Sequence, residues 1–503
     1  MGTPRHDCRW RTRATQLEEK LAKQSAELDL LTKRMNEVEH NLAKSKKQIV
    51  GPKSERIPTP EQEARASEGP GDKPGGFVNP ERRRKAAKAR TKLPTETLVH
   101  TIPEPERRCS HCGDDVKPIG KGDVSAELEW VPGRLVRRLH VVETGRCRCK
   151  LHYARGPAPA RVYDGCQYGP GFLAKLVVDK CCDSTPIHRI ERAMQRLGHP
   201  VARSTMNDLV LRAADVCEPL WRAAMDAVRT ASHLQADETS FKLQTSPARS
   251  FVWTFLSEVH TIYIFSESRS GETPSEFLGG TTGHLLIDGY TGYNSVTTVE
   301  GRIRAGCWSH ARRYLFEALP TAPEARDGLD RILDLFLTER AAQRRGIVGT
   351  DKHRKLRSKA SGFSLNRIKA WRDKMLPRFE PASPMGAALR YLKNQWSRLI
   401  AFVDEPLLPI HNNASESALR IVALARKNSL FFGNAQAGKR FAILYSLTAM
   451  CARHDVNPEA YLTDVLIRIH DHPKSRLAEL LPDQWKLRFA TIAPVIVDPV
   501  DAT

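Results

Sequence analysis

Between Ser232 and Leu319 the hydrophobic period of the chain changes repeatedly, and the order of those changes restricts the fold more than any other feature of the sequence. "SHLQADETSF" alternates polar and apolar residues up to Asp237 and then turns polar, as a strand does where its end opens into a site. "FVWTFLSEV" and "TIYIFSESRS" read as two more strands, "GHLLIDGYTGYN" as a buried run that stops at Asp288, and "CWSHARRYLFEAL" as the start of a helix. Strand, strand, strand, helix, strand, helix predicts an α/β layer. Sites in such sheets form at strand ends, which is where Asp237 and Asp288 fall.

A third acid stands in "HNNASESALRIVALARKNS". With Asn413 as N-cap, Glu416 falls at the third helical position and reads as part of a capping box, with Arg420 one turn on as its ion-pair partner. The same residues also suit chemistry. Two strand-end aspartates and a helix-borne glutamate are the all-oxygen ligand set expected for paired Mg²⁺ ions in phosphodiester displacement. Glu238 competes with Asp237 as ligand, and Asp288-Gly289 also reads as a simple turn. On the helix, Glu416, Arg420 and Lys427 lie along one stripe, since eleven residues is close to three turns, roughly 16 Å of axis. Such a stripe offers a metal ligand and then, with Arg426, cations for the neighbouring phosphates of a strand.

Charge makes a polyanion the first partner to consider. The 503 residues carry 79 Lys and Arg against 58 Asp and Glu, a formal charge of +21. The length and a hydrophobic content of 40% predict several cores. "MGTPRHDCRWRTR" has no apolar stretch and "FAILYSLTAMCA" is too short to span a bilayer, so the expectation is a cytosolic, nucleoid-associated protein with no membrane contact. Eleven cysteines, partly clustered, favour reduced thiols or a metal site over a disulfide framework.

Upstream, Leu17, Leu21, Gln24, Leu28, Leu31, Met35, Val38 and Leu42 form a heptad seam, which predicts a coiled coil and a homodimer or higher oligomer. A Pro/Gly-rich polar segment follows, leading into "ERRRKAAKARTK", whose Arg82, Arg83 and Arg84 read as a phosphate-gripping arm. Cys109 and Cys112, then Cys147 and Cys149, bracket a strand-like stretch, the pattern of a zinc ribbon with His111 and His152 as further candidate ligands. "GPGFLAKLVVDKCCDSTPIHRIERAMQRLGHPVARSTMNDLVLRAADV" reads as three helices: Gly198 closes the second and Ser204 caps a third that exposes Arg203, Thr205 and Asn207, a helix-turn-helix-like pattern.

"ADETS", "LLIDGYTGYN", "CWSHARR", "NNASESALR" and "RKNSLFFGN…GKRFAILYSL", with the order of the upstream segments, resemble the transposases of the insertion sequence 66 family over nearly the whole chain. The resemblance implies a ribonuclease H-like core with a DDE triad at Asp237, Asp288 and Glu416, holding two Mg²⁺ or Mn²⁺ ions, and a mainly helical insertion. Cys307 and His310 match its C-x-x-H feature, read as packing or an auxiliary contact. His411, Ser417 and the C-x-C of the second knuckle depart from the family pattern. The expected order is a coiled coil at 14–50, a disordered basic linker at 51–100, a zinc-ribbon-like module at 101–155 and a helical DNA-binding module at 165–230. The catalytic core follows at 231–318 and 404–455 around an insertion at 319–403, with a tail region at 456–503. The implied activity is metal-dependent 3′-end cleavage and strand transfer on double-stranded DNA at terminal inverted repeats, with small accessory proteins of the same element as possible partners. The competing classes are a non-catalytic DNA-binding protein such as a repressor, and a ribonuclease H-like nuclease that does not join strands.

Overall fold

The computed structural model describes residues 160–198 and 200–490, the backbone of two short strands before them, and the isolated positions Lys20, Lys23, Gln24 and His140. Most of the expected coiled coil, the basic linker with Arg82, Arg83 and Arg84, and the cysteines Cys109, Cys112, Cys147 and Cys149 lie outside the described residues. Strands β1 (Thr144–Arg146) and β2 (Tyr153–Arg155) pair antiparallel on either side of the segment that carries Cys147 and Cys149.

Three helices come next: α1 (Pro170–Val177), which widens into a π-helical turn at Val178–Cys182, α2 (Ile187–Arg196) and α3 (Arg203–Arg229). Gly198 follows α2 with φ of 78°, the left-handed conformation that ends a helix and favours glycine. Ser204 is not the cap of α3; the helix begins at Arg203 and Ala202 holds the N-cap position without a side-chain bond. Leu173, Leu176, Met206, Leu209, Cys217 and Val228 are buried in the same hydrophobic cluster as the sheet that follows. Helix α3 runs for 27 residues from the helical segment into the sheet's packing.

The central sheet has the order β5-β4-β3-β6-β7. Strands β3 (His233–Leu243), β4 (Arg249–Leu256) and β5 (Thr261–Ser266) form an antiparallel meander. After α4 (Glu272–Leu278), strands β6 (Gly283–Ile287) and β7 (Arg302–Gly306) add on in parallel. On β6, Leu285 and Ile287 enter one hydrophobic cluster and Leu286 the other, so the strand is buried on both faces, as parallel strands are. The sequence reading did not include β7. Its Arg302 and Arg304 give it a loop-like polarity, yet both are buried because backbone carbonyls receive them: Arg302 donates to Ala231 O at 3.0 Å and Arg229 O at 2.7 Å, and Arg304 to Asp288 O at 2.8 Å and Tyr290 O at 2.7 Å.

Beyond β7, α5 (Trp308–Ala318) starts an excursion of helices α6 (Ala325–Arg344), α7 (Asp351–Leu356), α8 (Gly362–Met375), α9 (Pro384–Asn394) and α10 (Trp396–Leu399). They share a second core, in which Ile332, Leu335, Ile368, Trp371 and Leu389 join Leu286 and Ala305 of the sheet through Trp308. The excursion returns beside its starting point: Trp308 N donates to Ile410 O at 2.9 Å, and Asn412 N to Cys307 Sγ at 3.2 Å. Helix α11 (Asn413–Ser429), the two-residue strand β8 (Phe431–Phe432) and helix α12 (Ala435–Arg453) then close the first core over β3 and β5. The described part of the expected tail region is helical. In α13 (Pro458–Arg468) and α14 (Pro482–Arg488), Tyr461, Leu462, Val465, Leu466 and Trp485 are buried, and Trp485 Nε1 donates to Asp464 Oδ2 at 2.7 Å. Among the described residues no helix is long and apolar enough to cross a membrane.

Candidate active site at the open edge of the central strand

Strand β3 is paired with β4 from Gln235 to Lys242, but its other edge meets β6 only at His233–Gln235 and β8 only at Lys242–Leu243. The backbone groups between must find other partners, and the ends of α11 supply them. Asn412 Nδ2 donates to Ala236 O at 2.8 Å, and Arg426 Nη1 donates to Ser240 O and, at 3.1 Å, to Thr239 Oγ1. The helix that carries Glu416 is thus bolted across the gap from which Asp237 projects. On the far side, the register that pairs Gln235 with Leu286 sets Asp237 level with Asp288 when continued by two residues.

The acids feel one another. Burial pushes the Asp237 carboxyl up from 3.8 to about 7, and the charges of Glu238, Asp288 and Glu416 push the same way, while the Glu238 N–H donated to Asp237 Oδ1 at 2.9 Å opposes them. Asp288 is oriented by the Tyr290 N–H, which bonds Oδ1 at 2.8 Å, so the turn reading of this residue and the site reading hold together. Beside Asp288 opens a cleft of about 320 Å³ lined by Arg269, His310, Tyr314 and Tyr391 among others.

Glu238, the competitor for Asp237, is fully engaged. Its side chain is 2% exposed, Oε1 takes both Nε and Nη2 of Arg269 at 3.0 and 2.6 Å, and Oε2 takes the Tyr293 hydroxyl at 2.9 Å. Burial raises its pKa and the Arg269 bonds pull it back. Of the two neighbours, Asp237 is the one with an oxygen left for a ligand.

Glu416 does not cap its helix. The N-cap is Asn412, whose side chain is turned to β3, and the Glu416 N–H makes an ordinary bond to Asn412 O at 3.2 Å. Nor does Glu416 pair with Arg420. Beside it stand His310, with Nε2 3.8 Å from Oε1, and Arg313, with Nη2 3.9 Å from Oε2, and Oε1 is buried with no hydrogen bond. A buried carboxylate oxygen without a hydrogen bond is costly, and the charge of Glu416 adds to those that raise Asp237. A hard divalent cation would resolve both costs, and an all-oxygen donor set is the one it prefers. The oxygens of Asp237, Asp288 and Glu416 do not all close within 4.8 Å of one another; among the described residues only His233, His284 and Glu405 do. Cys307 sits at the N-cap of α5 with Sγ bound to the Asn412 N–H, and His310, one turn on, lies beside Glu416 with Nδ1 buried and unpartnered.

Of the cations expected to hold DNA, Arg420 and Lys427 are exposed on α11, whereas Arg426 is turned inward and engaged with β3. Arg426 is thereby reassigned from a phosphate contact to a staple of the fold. Arg203, Thr205 and Asn207 lie in the first turns of α3, with Arg203 paired to Glu191 of α2. The helical segment does reach α11: Lys180 Nζ donates to Ser429 Oγ at 2.6 Å and Asn428 Nδ2 to Ser184 O at 3.0 Å. Arg269, Tyr293, Arg304 and Arg313 were missed from sequence. Each acts by meeting a residue far away in the chain, and no local pattern marks that.

Residues 165–440 match the model of the Transposase IS66 family, residues 446–482 that of the IS66 C-terminal element, and residues 106–150 that of the zinc-finger binding domain of transposase IS66. The last of these takes in Cys109, Cys112, Cys147 and Cys149. Similar curated proteins include two uncharacterized proteins of Sinorhizobium fredii. Protein y4hP is 29% identical over 417 residues, covering 76% of this chain and 74% of its own length; y4jD is 29% identical over 410 residues, covering 76% and 80%. The principal model alone spans more than half of the 503 residues and contains both aspartates, Glu416 and the helical excursion, and the chain therefore belongs to the IS66 family of transposases.

Proposed function

We propose that the protein is a DNA transposase that binds the terminal inverted repeats of its element, frees their 3′ ends by hydrolysis and joins them to target DNA by transesterification. The observation that carries this reading is the burial of Asp237 beside the open edge of β3 within reach of the charges of Asp288 and Glu416, with Glu416 Oε1 buried and without a hydrogen bond. Two antiparallel neighbours on one side of β3, two parallel strands on the other, an acid midway along β3 and another just past the end of β6 support a ribonuclease H-like core.

Asp237, Asp288 and Glu416 would hold two Mg²⁺ or Mn²⁺ ions. Such ions, when bound, activate the attacking oxygen and stabilise the leaving one, so the protein supplies no covalent nucleophile. Tyr290 N–H orients Asp288, Glu238 N–H orients Asp237, and the bolts at Asn412 and Arg426 hold Glu416 at a constant height on β3. Arg420 and Lys427 are free to meet the phosphates that flank the scissile one. Arg203, Thr205 and Asn207 on the helical segment, and the basic arm at Arg82, Arg83 and Arg84, add contacts to the duplex. Cys109, Cys112, Cys147 and Cys149 would bind one zinc ion, and the N-terminal heptads would dimerise the chain.

Glu416→Gln tests the reading on DNA carrying the element's ends. Gln keeps the shape and removes the charge. Nicking and joining in Mg²⁺ should both collapse while end binding and the circular dichroism spectrum persist. Near-normal strand transfer by a folded Glu416→Gln protein would overturn the triad.

A further inference from the structure

We propose that His233, His284 and Glu405 form a second metal site, for zinc or another borderline divalent transition ion, at the end of the sheet where β3 and β6 begin. Strands β3 and β6 run parallel, so their first residues lie together at one end of the sheet, and Asp237 and Asp288 stand four residues further along, roughly 13 Å away. His233 and His284 are register partners, and their rings stack with centroids 5.3 Å apart and planes parallel. One ligand atom from each histidine and one from Glu405 all lie within 4.8 Å of each other.

The details fit an ion better than a simple ion pair. His233 Nε2 is 3.2 Å from Glu405 Oε1, yet it is buried and makes no hydrogen bond. Two ligands on a tetrahedral zinc with bonds of 2.0–2.1 Å stand roughly 3.3 Å apart, so this spacing is that of a coordination edge. Ser232 Oγ lies 2.9 Å from His233 Nδ1; with the Nδ1 proton donated to it, the Nε2 lone pair faces the site, the arrangement that a metal-bound histidine usually has. Two imidazoles and a carboxylate leave a fourth position open and suit zinc rather than Mg²⁺.

Glu405 is held in place from behind. Arg357, buried in the π-helical turn Arg357–Ser361, donates to Phe402 O at 2.7 Å and Glu405 O at 2.8 Å, and both oxygens of Glu339 bind it in turn. The ion would therefore tie the returning end of the helical excursion to the sheet, seven residues ahead of the Asn412 bolt that seats α11. Its role is to pin that return.

The test uses the full-length chain, stripped with chelator, dialysed against Zn²⁺ and analysed for metal. The wild type should retain one equivalent more than His284→Gln and Glu405→Gln, and Zn²⁺ should raise its melting temperature by more than it raises theirs. Equal metal content in folded variants overturns the site. Should the variants fail to fold, Co²⁺ titration of the wild type decides. An added equivalent with visible d–d bands and no thiolate-to-metal band supports imidazole and carboxylate ligation, and spectra showing thiolate-bound Co²⁺ alone refute it.

Discussion

Replacing Asp237 by Asn should stabilise the metal-free protein. Asp237 is buried among Glu238, Asp288 and Glu416, and its carboxyl is held at about 7 instead of 3.8. A group whose folded pKa is raised contributes stability that is present in full below its unfolded value and is lost as pH rises through the folded one. The wild type without metal should therefore lose stability between about pH 4 and pH 8, by up to roughly 4 kcal/mol at 1.36 kcal/mol per unit. Relaxation and water entry should halve that figure or better. Asn does not titrate, and its Oδ1 can still accept the Glu238 N–H. Urea unfolding in EDTA should thus show the variant slightly more stable than wild type at pH 5, with the gap widening to about 2 kcal/mol at pH 8.5. Saturating Mg²⁺ should close that gap by stabilising the wild type alone, since only a protein that binds the ion gains from it. A gap in EDTA that is the same at both pH values, or a variant less stable at pH 8.5, would refute the reasoning.

Glu238→Gln should keep cleavage within a fewfold of wild type while lowering stability by about 1–2 kcal/mol, because it loosens the Arg269 bonds and leaves Asp237 untouched; denaturant melts and a nicking assay check both halves. Gly283 has φ of 112° and a Cβ there would stand 2.4 Å from Ser232 O, so Gly283→Ala should cost about 2–3 kcal/mol in chemical denaturation. If Cys109, Cys112, Cys147 and Cys149 hold zinc, about one equivalent should be lost from a Cys109→Ser, Cys112→Ser protein by metal analysis, with Mg²⁺-dependent melting of the core unchanged. DNA affinity should fall steeply between low and physiological salt in binding titrations, and a flat dependence would mean that the +21 charge serves another partner.

The elements with one strong period were legible in advance. Strands β3 to β6 and helix α5 follow directly from alternation and its change to a helical repeat, and Asp288 stands just past the end of β6 as expected, whereas β3 does not end at Asp237 but continues to Leu243 through its pairing with β4. What could not be read depends on partners distant in sequence. Strand β7 looks like a loop because nothing near Arg302 announces the carbonyls of Ala231 and Arg229 that receive it. Asn413 reads as the cap, yet the N-cap position falls to Asn412, whose side chain is drawn to the carbonyl of Ala236, and with it goes the capping role expected of Glu416. Arg426 differs from Arg420 only in which way the helix turns it. The choice between Asp237 and Glu238 is a matter of which oxygens Arg269 and Tyr293 already occupy.

The excursion between Cys307 and Asn412 leaves the sheet and comes back at neighbouring points, where Trp308 bonds Ile410 and Asn412 bonds Cys307. A closure of that kind uncouples inventory from alignment. Doubling the length of chain hung on a closed loop costs only about 0.6 kcal/mol, so chain can be added far from the sheet at little cost to the closure, whereas the helix that brings Tyr391 to the cleft beside Asp288 belongs to the site's surroundings. Selection on what the distant chain touches can then proceed without renegotiating the chemistry at its base.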